Sequence, residues 1–203
     1  MKQEEIRQKL MESAIHVVAT EGIHKATTKA IAAHFGVNEV YIYRTFEDKD
    51  DLFAQTFALI DSELIACILK YVPIMHMKDI DIKERCHIFF ISCWKNILEY
   101  NKCSFFIQYY YSQYYNSYSP LKRRKAYREV IERFTPAFKK GTDVWRMFNR
   151  ILDIVYSTII KILRNEIPDN EETAEDVFAV VYSAIESQLS WGNKKAAENV
   201  SEN

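Results

Sequence analysis

Apolar residues recur at three- and four-residue intervals through most of this chain, the spacing that lines one face of an α-helix. Few segments alternate with a period of two, so the pattern predicts an all-α fold. The first apolar run covers residues 6–21 and stops at Glu21-Gly22-Ile23. A short run through Ile31-Ala32 ends at Phe35-Gly36, and another carries Ile42 and Phe46. A fourth, over residues 49–71, is ended by Pro73. Charged residues 78–85 open a fifth, with Ile88, Phe89, Ile91, Trp94, Ile97 and Leu98. A sixth is expected over residues 103–115. Ser119-Pro120 supplies an N-cap and a first-turn proline for a seventh, which Thr135-Pro136 should break or kink. Two long helices close the pattern, over residues 143–164 and 171–191, with Pro168 and Asn170 between them. The apolar face of the first of these spans about 30 Å at ~1.5 Å per residue. The result is about nine helices. The glycines Gly22, Gly36, Gly141 and Gly192 each fall where a helical pattern stops, the place where a helical protein tolerates them.

The most informative stretch is residues 36–46. Gly36 can take a positive φ and so end the helix after Phe35. Asn38 can cap the next helix by accepting a backbone N–H. Ile42 and Phe46 lie four apart and share an inward face, which leaves Glu39, Tyr43 and Arg44 outward. A short helix, a glycine turn and a second short helix with a polar outer face fit a DNA major groove. An ordinary helical hairpin with a solvated polar face has the same local pattern, so the wider context decides.

That context resembles the N-terminal domain of TetR-family transcriptional regulators. An amphipathic first helix ends at Glu21-Gly22-Ile23, and Ala26-Thr27-Thr28 leads into Ile31-Ala32. Gly36-Val37-Asn38 stands where the family usually has Gly-Val-Ser. Ile42-Tyr43-Arg44-Thr45-Phe46 matches its Leu-Tyr-x-x-Phe, and Lys49 and Leu52 match its Lys-x-x-Leu. Two departures bear on base contacts. Val40 replaces a small residue, often Gly, and Tyr41 is bulkier than the usual Thr, Ala or Asn.

The resemblance implies an N-terminal three-helix helix-turn-helix DNA-binding domain over residues 1–48. A C-terminal helical effector-binding and dimerisation domain would fill residues 49–203. It implies a repressor, homodimeric through residues 143–165 and 171–191, acting on a palindromic double-stranded operator. The DNA-binding set it implies is Thr27, Thr28, Asn38, Glu39, Tyr41, Tyr43, Arg44 and Lys49. Within it, Thr28 and Tyr43 would hold phosphates. Glu39, Tyr41 and Arg44 would face base edges, and Lys49 would meet the DNA backbone. Arg44 is the candidate for a guanine contact, because its fork matches two acceptors.

Charge changes this picture only locally. The chain carries 27 basic and 28 acidic residues, a net charge of −1. In residues 1–50, Lys2, Arg7, Lys9, Lys25, Lys29, Arg44 and Lys49 are outnumbered by carboxylates. Any basic footprint is therefore made by a few placed cations. This predicts modest non-specific affinity that falls with salt. The run Lys122-Arg123-Arg124-Lys125 is expected to be a solvated face. There is no uncharged apolar run of about 18 residues, so no membrane span is expected. The charged N-terminus lacks a signal-peptide core. A cytoplasmic location follows, and Cys67, Cys86, Cys93 and Cys103 should be buried free thiols. No metal site or cofactor is expected.

The stretch from Phe105 to Tyr118 is dense in tyrosine. Tyrosine can line a cavity and bond a polar group of a ligand, or it can simply pack between helices. Trp94, Tyr109, Tyr110 and Trp145 are the ligand-binding candidates, for an apolar or aromatic effector. An enzyme is not expected, since no paired Ser/His, metal triad or phosphate loop occurs. The alternative is a helical protein-interaction module of the same fold that has lost DNA binding.

Overall fold

A computed structural model describes residues 3–97, 99–118 and 120–190. The expectations for Leu98, for a cap at Ser119, for Trp191 and for the tail after Gly192 concern residues outside these. The helices are α1 (Gln3–Glu21), α2 (Thr28–Phe35), α3 (Val40–Thr45), α4 (Lys49–Tyr71), α5 (Ile82–Ile97), α6 (Tyr100–Tyr110), α7 (Tyr115–Tyr118), α8 (Pro120–Ala126), α9 (Arg128–Phe134), α10 (Val144–Leu163) and α11 (Glu171–Ile185). Short 3-10 segments cover Val72–His76, Thr135–Ala137 and Glu186–Gln188. The all-α expectation holds among the described residues.

The chain forms two compact units: residues 1–64 with 98–126, and residues 65–97 with 127–203. In the first unit α1 packs on α2, α3 and α6, with Leu10, Ala14 and Val18 fully buried. Gln108 of α6 finishes the end of α1. Its amide nitrogen donates to the Val18 carbonyl at 3.0 Å, and its oxygen accepts from the Ile23 N–H at 2.9 Å. The Ile23 N–H, left open where the helix ends, is thereby paired, and the Val18 carbonyl gains a second donor beside the Gly22 N–H. Phe53, Phe57, Phe105 and Tyr109 are fully buried. Phe53 meets Phe105 edge-on at 5.8 Å, and Phe57 stacks on Phe106 at 4.5 Å.

The same unit corrects one expectation. Arg123 is not solvated: its side chain and that of Asp61 are 3% and 1% exposed, paired at 3.6 Å. Its guanidinium lies 5.1 Å from the Tyr110 ring. The charges of this pair also act on the phenols of Tyr115 and Tyr118 beside it. Two charges taken from water need this degree of pairing. Lys122, Arg124 and Lys125 do face solvent.

In the second unit α10 packs on α11 and α9, and α11 on α5. Asp143 caps α10 by accepting from the Arg146 N–H at 3.0 Å, and Asn170 caps α11 by accepting from Thr173 at 2.9 Å. Arg85 donates to the Met75 carbonyl at 3.1 Å and ties α5 to the 3-10 segment after α4. All four cysteines are free. Burial pushes the Cys86 thiol up to about 12, so it stays protonated and unreactive at neutral pH.

Helix boundaries differ from the periodicity in three places. The ninth expected helix stops at Ile185 instead of reaching 191. A 3-10 turn follows, and Leu189 pairs with Phe138 in an isolated antiparallel bridge. Lys139 N–H donates to Gln188 at 2.8 Å and Ser190 N–H to Ala137 at 2.9 Å. The sixth expected helix stops at Tyr110, where the Ser112 hydroxyl donates to the Tyr109 carbonyl at 2.8 Å and accepts from the Tyr114 N–H at 3.1 Å. Such side-chain bonds compete with helical ones. Residues 120–134 divide at the fully buried Tyr127, the residue at which the chain passes from the first unit to the second.

One stretch, Lys49–His76, is long and apolar enough to cross a membrane by length and composition alone. Its Leu52, Phe53 and Phe57 are fully buried in the fold, and Asp61 and Glu63 lie within it.

Candidate nucleic-acid interface

The helix-turn-helix is built from local signals. Thr27 caps α2, its hydroxyl accepting from the Ala30 N–H at 3.1 Å. Gly36 ends α2 at φ 78°, a left-handed conformation that costs glycine nothing. The Val37 N–H then donates to Ala32 at 3.0 Å. Asn38 caps α3: its side-chain oxygen accepts from the Val40 N–H at 2.9 Å. Ile31, Ala32, Ile42 and Phe46 form the inner face, none more than 3% exposed. Ser13 bonds His34 at 3.0 Å, and His16 stacks on His34 at 4.2 Å, which fixes α2 to α1.

The outward face of α3 presents Val40, Tyr41, Tyr43 and Arg44, all exposed. The Arg44 guanidinium lies 5.7 Å over the Tyr41 ring, a cation–π contact. Glu39, half-buried, immediately precedes the helix. Its Oε1 accepts from the Thr28 hydroxyl and, at 3.5 Å, from the Tyr43 hydroxyl. The structure thus brings Thr28, Glu39 and Tyr43 together, and sets Tyr41 beside Arg44. Lys49 is engaged elsewhere in the same unit. Its ammonium donates to the Tyr114 hydroxyl at 3.2 Å and lies 5.0 Å from that ring and 5.4 Å from Phe53.

The second unit contains an apolar cavity of about 90 Å³. Phe89, Phe90, Phe134, Phe148, Phe178 and Tyr182 supply most of its aromatic wall, with Met75, Cys86 and Leu189 among the rest. None of the four sequence candidates lines it. Trp94 stacks on Phe90 at 5.7 Å and Trp145 on Phe148 at 6.4 Å, each one ring behind the wall. Tyr109 and Tyr110 belong to the aromatic packing of the first unit, against Phe57 and Tyr115. Most wall residues lie in the fifth, seventh, eighth and ninth expected helices, while Met75 and Phe138 lie outside all of them, beyond Pro73 and Pro136. Nothing local distinguishes a residue that lines a gap from one that fills it. Among the described residues no group of three or more His, Cys, Asp or Glu is placed to hold a metal ion.

Comparison with known proteins agrees with this geometry. Residues 10–56 match the family model of bacterial regulatory proteins, tetR family. No curated protein matches the chain. A TetR family transcription regulator from Marinobacter aquaeolei VT8 is similar over 91% of this chain and 98% of its own, with 18% identity and a TM-score of 0.68. FadR from Bacillus subtilis, solved with stearoyl-CoA, is similar over 88% of this chain and 98% of its own, with 17% identity and a TM-score of 0.68. The multidrug binding protein EbrR, solved with imidazole, is similar over 86% and 93%, with 16% identity and a TM-score of 0.59. At these identities the likeness is one of fold. The chain thus carries the N-terminal domain of the tetR family of bacterial regulatory proteins and, behind it, the fold of TetR-family transcription regulators.

Proposed function

We propose that the protein is a cytoplasmic transcriptional repressor that binds a palindromic operator as a homodimer and is released by a small apolar or aromatic molecule. The observation that carries this reading is the outward face of α3. Tyr41, Tyr43 and Arg44 stand exposed on a helix whose other face is anchored by buried Ile42 and Phe46. Short helices so mounted enter the major groove. In this reading Arg44 and Tyr41 meet base edges, Thr27 and Asn38 approach the backbone, and Lys49 exchanges Tyr114 for a phosphate.

The effector site is the cavity of the second unit. Its wall offers aromatic and aliphatic carbon, so it suits an uncharged apolar group. FadR and EbrR, similar in fold, were solved with small molecules bound. Dimerisation is assigned to α10 and α11, which keep Met147, Ile154 and Ile162 half-exposed and Val180 exposed. Two-fold pairing of such faces gives an isologous interface.

The test is a mobility-shift assay on DNA upstream of the protein's own coding sequence, with footprinting. Two protected half-sites about 34–36 Å apart or slightly more are expected, from a particle that light scattering finds dimeric. An apolar aromatic compound that quenches tryptophan fluorescence should weaken this binding by about 1–3 kcal/mol. A monomer, or no shift on any DNA, overturns the reading in favour of a helical interaction module.

A further inference from the structure

We infer that Glu39 is a fixed hydrogen-bond acceptor that selects cytosine at one position of each half-site, with Thr28 and Tyr43 as the residues that position it. This rests on the reading of α3 as the recognition helix. Both hydroxyls bond the same carboxylate oxygen, Oε1. Among the described residues Oε2 accepts no hydrogen bond. One oxygen is therefore anchored and the other remains an acceptor, immediately before the first residue of the helix that would face the groove.

The chemistry of the groove then decides the partner. An ionised carboxylate only accepts. In the major groove guanine presents two acceptors, and thymine an acceptor and a methyl group. Both reject a carboxylate. Adenine presents a donor, but its N7 acceptor lies alongside and repels the second oxygen. Cytosine presents its amino donor alone. A carboxylate close to DNA is also repelled by phosphates, so any site without that amino group is penalised. Glu39 thus selects against wrong sequences as much as for the right one. The Thr28 hydroxyl donates to this carboxylate and the Tyr43 hydroxyl reaches the same oxygen at 3.5 Å, which gives both an orienting role toward Glu39.

The test is selection from a random-sequence duplex library with the full chain, followed by binding to the selected duplex with one base pair changed at a time. The wild type should enrich cytosine at one position per half-site, and replacing it should weaken binding about five- to a hundred-fold. Glu39→Gln keeps an acceptor for both hydroxyls and adds a donor, so it should move the preference to adenine. Glu39→Ala should lose the preference and bind random DNA more tightly. Tyr43→Phe, at an exposed residue, should lower discrimination at that position alone. Unchanged motifs for both Glu39 variants, with circular dichroism like the wild type, overturn the inference while leaving the DNA-binding reading intact. A uniform loss for Tyr43→Phe returns Tyr43 to the phosphates. A wild type that enriches no motif removes both readings together.

Discussion

Arg44 and Lys49 carry the same charge into different surroundings. Arg44 is exposed, with the Tyr41 ring beneath its guanidinium. Lys49 is half-buried and already bonded to Tyr114. A planar fork suits bidentate recognition, whereas an ammonium acts as a point charge. Arg44→Ala should therefore cost about 1–3 kcal/mol and relax preference at one base position. Lys49→Ala should weaken binding to every sequence alike and lower the salt slope by about one. Fluorescence anisotropy on cognate and mismatched duplexes across a salt series separates the two. Equal, sequence-blind losses would remove Arg44 from base reading.

At the scale of elements, α3 has six residues, too few to persist as an isolated helix. Its caps and the burial of Ile42 and Phe46 hold it. α7 and α8 depend on a different device, the buried pair of Asp61 on α4 and Arg123 on α8. Arg123→Met leaves the Asp61 charge buried without its partner and should cost about 3–5 kcal/mol in urea denaturation. Arg123→Met combined with Asp61→Leu should recover most of that loss. A single-variant cost below about 1 kcal/mol is what a solvated pair gives, and it would contradict the burial. These cases also explain what the sequence made legible. Thr27, Gly36, Asn38, Asp143 and Asn170 act on neighbours within a few residues, so their roles follow from local chemistry. Pro73 and Pro136 fall inside the 3-10 segments that follow α4 and α9 for the same reason. Arg123 looked like part of a solvated run because its partner lies far off in sequence. Leu189 looked helical because its pairing with Phe138 is equally remote. The Thr28–Glu39–Tyr43 contact joins two helices through side chains whose types are common at exposed positions. The base-reading role expected of Glu39 gave no hint that two hydroxyls hold it.

For the molecule as a whole, buried phenols and thiols set an alkaline limit. Burial, with the Asp61 charge adding, pushes Tyr118 up to about 12. Burial also raises Tyr109 and Tyr115 and holds Cys86 at about 12. Unfolded tyrosine loses its proton near about 10, while the folded chain keeps it. Between those values the unfolded state binds fewer protons, so stability falls as pH rises; the phenols' share is present in full below about 10, and the share of Cys86 starts to fall at about 9, the ordinary value of a thiol. Tyrosinate absorbance from these residues should therefore appear together with loss of helical circular dichroism, between about pH 10 and about 12. Full ionisation near pH 10 with helices intact would contradict their burial. The short bridge between Phe138 and Leu189 has a consequence on the same scale. Both residues also line the apolar cavity, and main-chain bonds hold them together. The end of the described chain is thus part of the chamber it closes. Side chains at 139 and 190 reinforce that closure: the Lys139 ammonium donates to the Ser187 carbonyl at 2.7 Å and the Ser190 hydroxyl to the Pro136 carbonyl at 3.1 Å. A chain cut after Ile185 would lose the 3-10 turn Glu186–Gln188 and the Leu189 side of the wall, and the chamber would become a trough open to solvent.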